Sequence, residues 1–405
     1  MAEPQIVVVS TNAGQAMGGE AIKAYQFFIE LNKVAERVTL VTHERCRDQL
    51  AHLQETHDIR LIEDDWIMVC LWRSRILRFL VSPYFHMQVR RLVPSIAASG
   101  SILHYLCPIS PVANRLPPRG YKLILGPLNG NITYPSGFSA REGMKARLRQ
   151  RAQVVVQKVL GKLWPEKKRF DTILVSGFER TRASLRAAGC PPDQMVDVCD
   201  SGLTDDTVIE PRMTHTGRNT RFICSGRFID YKGIDLAIRA IARANPDVTL
   251  DVFGDGEMGG AWKALSEELG LTDRVSFHGW CPHEELLERM RTYRGYLFPT
   301  LAEANGIVMQ EAMMIGLPVV TLKWGGPEGL ADESSAVLIE PKDEDWVVAR
   351  IAEAIDHLSD DATFANELAQ NARRIAEERF PWSKVLPTWT ECYGLSEGHL
   401  KKVIT

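Results

Sequence analysis

The chain has 405 residues, 45% hydrophobic and 24% charged, with a formal net charge of -3. That length supports two domains with separate cores, and the slightly acidic balance excludes a general nucleic-acid binder. Eight cysteines (Cys46, Cys70, Cys107, Cys190, Cys199, Cys224, Cys281, Cys392) form no CxxC pair and no metal-type spacing with histidine, so they read as small core residues in a reducing compartment.

The start, MAEPQIVVVS, enters a strand pattern directly, with no basic n-region, long apolar h-region or cleavage site. No segment is an uninterrupted apolar run of about 18 residues, so a cytoplasmic protein that does not span a membrane is expected. TNAGQAMGGEAIKAYQF (11–27) then reads as a Gly-rich loop opening a helix. It lacks the full dinucleotide fingerprint. Without side chains, Gly18 and Gly19 let backbone N–H groups approach an anion or an acceptor, whereas Gly14 also fits a plain turn.

The segment 66–92 interleaves Trp66, Trp72, Leu77, Phe79 and Phe85 with Arg73, Arg75, Arg78, Arg90 and Arg91. Either an anionic membrane surface or a buried helix pair with snorkelling arginines fits this pattern. In the strand pattern SILHY (101–105), His104 is a polar candidate at a strand end, where a lone histidine is more often structural than catalytic. LILGPLNGNITYP (123–135) leaves a strand for a turn rich in Gly, Pro and Asn, with Asn129 and Asn131 as polar candidates. Residues 139–169 hold ten Lys or Arg against two Glu, which suits a solvated helix face, a pocket for an anionic acceptor, or membrane contact.

Apolar runs at 6–10, 38–42, 101–105, 122–125 and 172–176 alternate with helical patterns. After a polar stretch at about 205–218 the alternation restarts with runs at 221–226, 249–254, 274–279, 295–299, 318–322 and 336–340. This order predicts an α/β protein of two doubly wound parallel-sheet domains, 1–205 and 206–382. Ligands of such sheets bind at the carboxyl ends of the strands, so the site is expected in a cleft between facing domains.

In the second half, SGRFIDYKGIDLAIRA places Arg227 and Lys232 after a strand, where two cations can neutralise a diphosphate. A solvated basic turn fits the same residues. VFGDGE adds Gly254 in a tight turn, and RVSFHGW adds Trp280, which could frame a base. In LAEANGIVMQEAMMIGLPVV, Glu303 precedes the Ala304-Asn305-Gly306 turn and Glu311 lies inside the helix that follows. Eight helical residues rise ~12 Å, and the loop shortens that. Two carboxylates so spaced suit opposite ends of a sugar-diphosphate-ribose, with the helix N-terminus facing the phosphates, and the bare spacing equally fits two ordinary helix carboxylates. Asp343-Glu344-Asp345 reads as a charged helix start, and no metal is implied.

These segments, in this order, resemble glycosyltransferase family 4, the retaining GT-B enzymes, over about residues 221–340. ERFPWSKV (378–385) is similar to that family's Phe-x-Trp segment, which implies a last helix over 383–405 that crosses back toward the first domain. The resemblance implies a GT-B fold with Rossmann-like domains and a front-face, metal-independent transfer from a nucleoside-diphosphate sugar, without cofactor. It implies that Arg227 and Lys232 bind the diphosphate, Glu303 the transferred sugar and Glu311 the ribose. It further implies that the amides of Gly306, Ile307 and Val308 approach sugar and phosphate and that Gly18-Gly19 sits near the phosphates. Asn305 departs from the aromatic residue usual before that glycine, so sugar preference is not transferable. A lipid-linked or surface-polysaccharide acceptor is expected, with His104 and Asn129 on the acceptor side and a peripheral membrane location. A non-catalytic nucleotide-sugar-binding subunit, a GT-B epimerase and a transferase with a soluble acceptor are the alternatives.

Overall fold

The structure, a computed structural model, describes residues 5–110, 113, 115–129, 133–141, 155–159, 161–162, 165–204 and 213–395. The chain folds into two compact units that are discontinuous in sequence: Met1–Asn131, Arg149–Ser201 and Val385–Thr405 form one, Ile132–Leu148 and Gly202–Lys384 the other. The boundary expected at 205/206 falls outside the described residues.

Among the described residues the N-terminal unit holds seven strands: β1 (Ile6–Val9), β2 (Val38–His43), β3 (Asp58–Ile62), β4 (Ile102–Tyr105), β5 (Lys122–Asn129), β6 (Thr172–Ser176) and β7 (Met195–Asp197). They pair in parallel in the order β3-β2-β1-β4-β5-β6-β7. Among the described residues the C-terminal unit holds six strands: β8 (Arg221–Ser225), β9 (Thr249–Phe253), β10 (Val275–Gly279), β11 (Gly295–Phe298), β12 (Val319–Leu322) and β13 (Val337–Ile339). Their order is β10-β9-β8-β11-β12-β13, also parallel. Central strands such as Ile6–Val9 and Val319–Leu322 are buried throughout, which is why they read as continuous apolar runs. Two edge strands had no such signal. β3 carries the polar, half-exposed pattern DIRLI, and β7 has only three residues.

The longer helices of the N-terminal unit are α1 (Gly19–Val34), α2 (Trp66–Arg73), α3 (Val81–Ile96) and α4 (Phe178–Ala187). Those of the C-terminal unit are α5 (Ile234–Arg243), α6 (Gly259–Glu268), α7 (His283–Met290), α8 (Ile307–Ile315), α9 (Glu344–Asp360) and α10 (Ala362–Arg379). The helix α11 (Trp382–Thr390) contains Val385, where the N-terminal unit resumes. Among the described residues no helix is long and apolar enough to cross a membrane.

Lys23, in α1, is buried with its ammonium 2.9 Å from Asp200 Oδ1. Burial alone would push this lysine's pKa down, but the Asp200 charge and hydrogen bond outweigh it and leave the pKa raised. Removing one partner of such a pair strands the other charge in the interior. Asp200→Asn is therefore expected to lower stability by about 3 kcal/mol in denaturant unfolding, with Lys23→Met/Asp200→Leu recovering most of the loss.

Candidate active site

In the C-terminal unit the strand order reverses between β8 and β11, and the loops leaving the carboxyl ends of β8, β9, β10 and β11 carry most of the expected residues. A pocket of about 400 Å³ is lined there by Gly226, Arg227, Gly254, Trp280, Leu286 and Val308, among others. Arg227 is exposed and has no ion-pair partner among the described residues. Trp280 is 76% exposed, an apolar face left open to solvent beside Cys281. Gly254 is required by local packing, because a Cβ there would overlap the Gly226 carbonyl and the Phe228 ring.

Lys232 ends a short 3₁₀ turn, Asp230–Lys232, and its ammonium donates to Glu303 Oε2 at 2.6 Å. A Cβ on Gly226 would stand 3.8 Å from Lys232 Cε, so the lysine stem runs along the pocket's rim. The Tyr231 carbonyl accepts from Leu301 N at 2.7 Å, and the Glu303 carbonyl accepts from Gly326 N at 2.7 Å. These backbone bonds tie the two loops that present the charges to neighbouring segments.

Gly306 caps α8 in the left-handed region, with φ 85°, and a Cβ there would press on the Phe298 ring. The first turn of α8 leaves the N–H groups of Ile307 and Val308 free of intrahelical partners. Asn305 is buried, and its Oδ1 accepts from Gln310 Nε2 at 3.0 Å, so this side chain supports the turn.

Glu311 is almost wholly buried in α8, with Oε1 2.7 Å from His283 Nε2 and Oε2 enclosed without a hydrogen-bond partner among the described residues. His283, at the start of α7, was not singled out from the sequence. A carboxylate inside an apolar helix segment needs a donor, but nothing in the spacing says which histidine supplies it. The hydrogen bond to Glu311 raises the His283 pKa above its ordinary value against the opposing effect of burial.

The remaining expected residues lie in the N-terminal unit. Gly18 is the cap residue of α1, with φ 93°, and both it and Gly19 are exposed with open space where a Cβ would stand. Asn129 ends β5, half-buried and paired in register with Ser176. Asn131 lies outside the described residues. His104 is a correction: it is fully buried, with Nδ1 2.6 Å from the Tyr393 hydroxyl and Nε2 2.7 Å from the Gly126 carbonyl. Both ring nitrogens are occupied, and burial pushes its pKa down to about 4. His104 is a core histidine that holds β4 and β5 to the C-terminal end of the chain.

With this geometry in place, the comparisons with known proteins fall into two groups. Residues 208–375 match the family described as Glycosyl transferases group 1. The C-terminal unit accounts for that similarity. A D-inositol 3-phosphate glycosyltransferase of Corynebacterium aurimucosum is 29% identical over 233 residues, which is 53% of this chain and 54% of that protein. The chain spans about half or less of the length of the curated relatives it matches. In fold the likeness covers nearly the whole chain. Anabaena HepE in complex with UDP-glucose aligns with TM-score 0.62 at 15% identity, covering 96% of this chain and 98% of that one. WaaG, a glycosyltransferase involved in lipopolysaccharide biosynthesis, aligns with TM-score 0.63 at 17% identity, covering 96% and 100%. The architecture is GT-B, with two Rossmann-like parallel-sheet domains.

The His283–Glu311 contact gives a testable pH dependence. Because the folded pKa is raised, the stabilisation is fully present below the unfolded value of 6.5 and is lost as pH rises through the folded value. Between about pH 6 and 8 the thermal midpoint of His283→Gln should therefore fall less steeply than that of the native protein, as followed by differential scanning fluorimetry. Parallel curves would show that the contact makes no contribution.

Proposed function

We propose that the protein is a retaining family 4 hexosyltransferase that moves a sugar from a nucleoside diphosphate to a hydroxyl group without metal or other cofactor. The observation that carries this reading is the Lys232–Glu303 pair at the rim of the pocket that Arg227, Trp280 and Val308 line. A site of this kind combines fixed cations for a diphosphate, a carboxylate for sugar hydroxyls and an apolar wall for a base. The UDP-glucose complex of HepE supports the donor class, and the lipopolysaccharide role of WaaG supports a surface-glycan acceptor.

In the proposed step the bond between the anomeric carbon and the β-phosphate oxygen breaks, its electron pair staying on that oxygen. The acceptor hydroxyl oxygen bonds to the anomeric carbon on the same face, and its proton passes to the departing diphosphate. The products are a glycoside and the nucleoside diphosphate. Arg227 and Lys232 stabilise the charge that develops on the leaving oxygen, which lowers the barrier more than it tightens ground-state binding. Glu303 accepts from the sugar hydroxyls and Glu311 from the ribose diol. The amides of Ile307 and Val308 at the start of α8 face the phosphates.

The acceptor's setting is proposed to be an anionic lipid surface on the cytoplasmic side. Trp66, Ile76 and Phe79 are 76%, 80% and 71% exposed, and the whole run Arg75–Leu80 faces solvent. From Trp66 to Arg141 the sequence contains no Asp or Glu, while Arg73, Arg75 and Arg78 alternate with the apolar side chains. Exposed aromatic and aliphatic groups set among uncompensated arginines complement an anionic interface. The buried-helix alternative holds for the opposite side, where Met68, Leu71, Phe85 and Val89 are enclosed. Arg45 and Arg78 stack over Trp72 at 3.5 and 4.5 Å from its ring centroid. Of the basic segment 139–169, residues 142–154, 160 and 163–164 lie outside the described residues.

A thermal-shift screen against UDP, GDP, dTDP and ADP and their sugars should give an EDTA-insensitive rise with one nucleotide family, because ligand binding to the native state stabilises it. No rise with any of them would count against the donor site itself. Lys232→Ala and Glu303→Ala should each lower turnover about 100-fold or more while the protein stays folded, and near-native turnover in both would remove the site assignment.

The native protein should sediment with phosphatidylglycerol vesicles at low salt and not with phosphatidylcholine vesicles, and Ile76→Ser/Phe79→Ser should weaken this about tenfold or more. Failure to sediment with the anionic vesicles would overturn the lipid assignment. Concentration-dependent self-association abolished by the same substitutions would overturn it in favour of a contact between copies.

A further inference from the structure

Residues 133–141 follow β5 of the N-terminal unit in sequence but pack on the C-terminal unit. Phe138 is fully buried in that unit's core, in one cluster with Phe222 and Ile234, and Tyr134 packs against the same cluster. The Arg141 guanidinium grips Asp235 at the start of α5 with both terminal nitrogens and donates through Nε to Glu344 at 2.7 Å. Gly137 lies so close to the Lys342 carbonyl that a side chain there would overlap it. The segment is thus an arm fastened by an aromatic plug and a charged clasp.

The first two residues of this arm reach the two loops that present the site's charge pair. The Tyr134 hydroxyl donates to Asp230 Oδ2 at 2.7 Å, and Asp230 opens the three-residue turn that ends in Lys232. The Thr133 carbonyl accepts from Trp324 Nε1 at 3.0 Å, and Trp324 lies two residues before Gly326, whose N–H holds the Glu303 carbonyl. Neighbouring residues of the arm therefore touch the Lys232 loop on one side and the support of the Glu303 loop on the other.

We infer that Tyr134 and Trp324 are positioning residues for the Lys232–Glu303 pair, and that the arm 133–141 braces both of its loops. The inference rests on the reading that this pair handles the donor diphosphate and sugar. Neither residue touches the donor in this assignment. Their effect is to fix where the Lys232 ammonium and Glu303 carboxylate stand, and a small misplacement of such groups is costly in rate.

Tyr134→Phe removes one oxygen and keeps the ring packed, and Trp324→Phe removes the indole donor, so both variants should fold. In hydrogen–deuterium exchange on the full chain, the amides of Lys232, Leu301 and Gly326 should exchange roughly tenfold faster in both variants, with the amides of β9 and α6 unchanged. Unchanged exchange at those three amides would overturn the bracing. With the donor that stabilises the native protein, Tyr134→Phe should lower kcat about tenfold and leave donor KM within about twofold, and it should have no further effect in a Lys232→Ala background. An undiminished loss in that background would show that Tyr134 acts on something other than Lys232. If the native protein transfers no sugar from any donor, the transferase reading falls, and the exchange experiment still decides the arm's role.

Discussion

The contact between Lys232 and Glu303 at 2.6 Å sets the demands on the surrounding chain. Both side chains are about four-fifths withdrawn from solvent, and charges so placed are favourable only when their geometry is held. Neither residue sits on a strand or a long helix, so the sheet alone cannot hold them. The task falls to close backbone approaches. Gly233 takes a left-handed conformation, φ 64°, where a side chain would overlap the Pro299 carbonyl, and Gly326 passes too close to Ala304 for any Cβ. The glycines of this region answer to crowding between loops before they answer to any ligand.

The same logic separates the two cations. Lys232 is matched by a carboxylate within the unit, whereas Arg227 lines the pocket with no ion-pair partner among the described residues. On the transferase reading, an arriving diphosphate gains charge stabilisation from Arg227 directly and from Lys232 only by sharing it with Glu303. The ion pair then keeps Lys232 oriented before the donor arrives, so little reorganisation is left for the moment of reaction. Glu311 is arranged differently. One of its oxygens is held by His283 and the other is enclosed without a hydrogen-bond partner among the described residues, which leaves a demand for a donor inside the helix.

Much of this was legible in the sequence. The eleven strand patterns all correspond to strands, because central parallel strands are buried on both faces and leave apolar runs. The start of α8 was legible from the turn that ends in Gly306, which stands in a left-handed position. The strands β3 and β7 were not legible, since an edge strand needs neither alternation nor length to pair on one side. His104 misled because a polar residue at a strand end looks like a site, while the Tyr393 hydroxyl that buries it lies 289 residues away in sequence. His283 was missed for a related reason: its meaning depends on Glu311, 28 residues on, and no local pattern announces that pairing.

The arm was the least legible element and has the largest consequence for how the chain is divided. Its sequence, with Pro135 and Gly137 between aromatic residues, reads as a loop of the first half, and the similarity to group 1 glycosyl transferases begins only at residue 208. Yet Phe138 fills space in the core of the unit that holds that similarity, and Arg141 pairs with both Asp235 and Glu344 there. A C-terminal unit cut from the chain at its sequence boundary would keep every expected donor-site residue in that unit. It would lose the aromatic ring that closes its core and leave two carboxylates without their arginine. The hydrogen bonds at Asp230 and Trp324 would go with them. Sequence similarity marks the residues that meet the donor in this reading, whereas the geometry that places them is completed by a segment from outside the match.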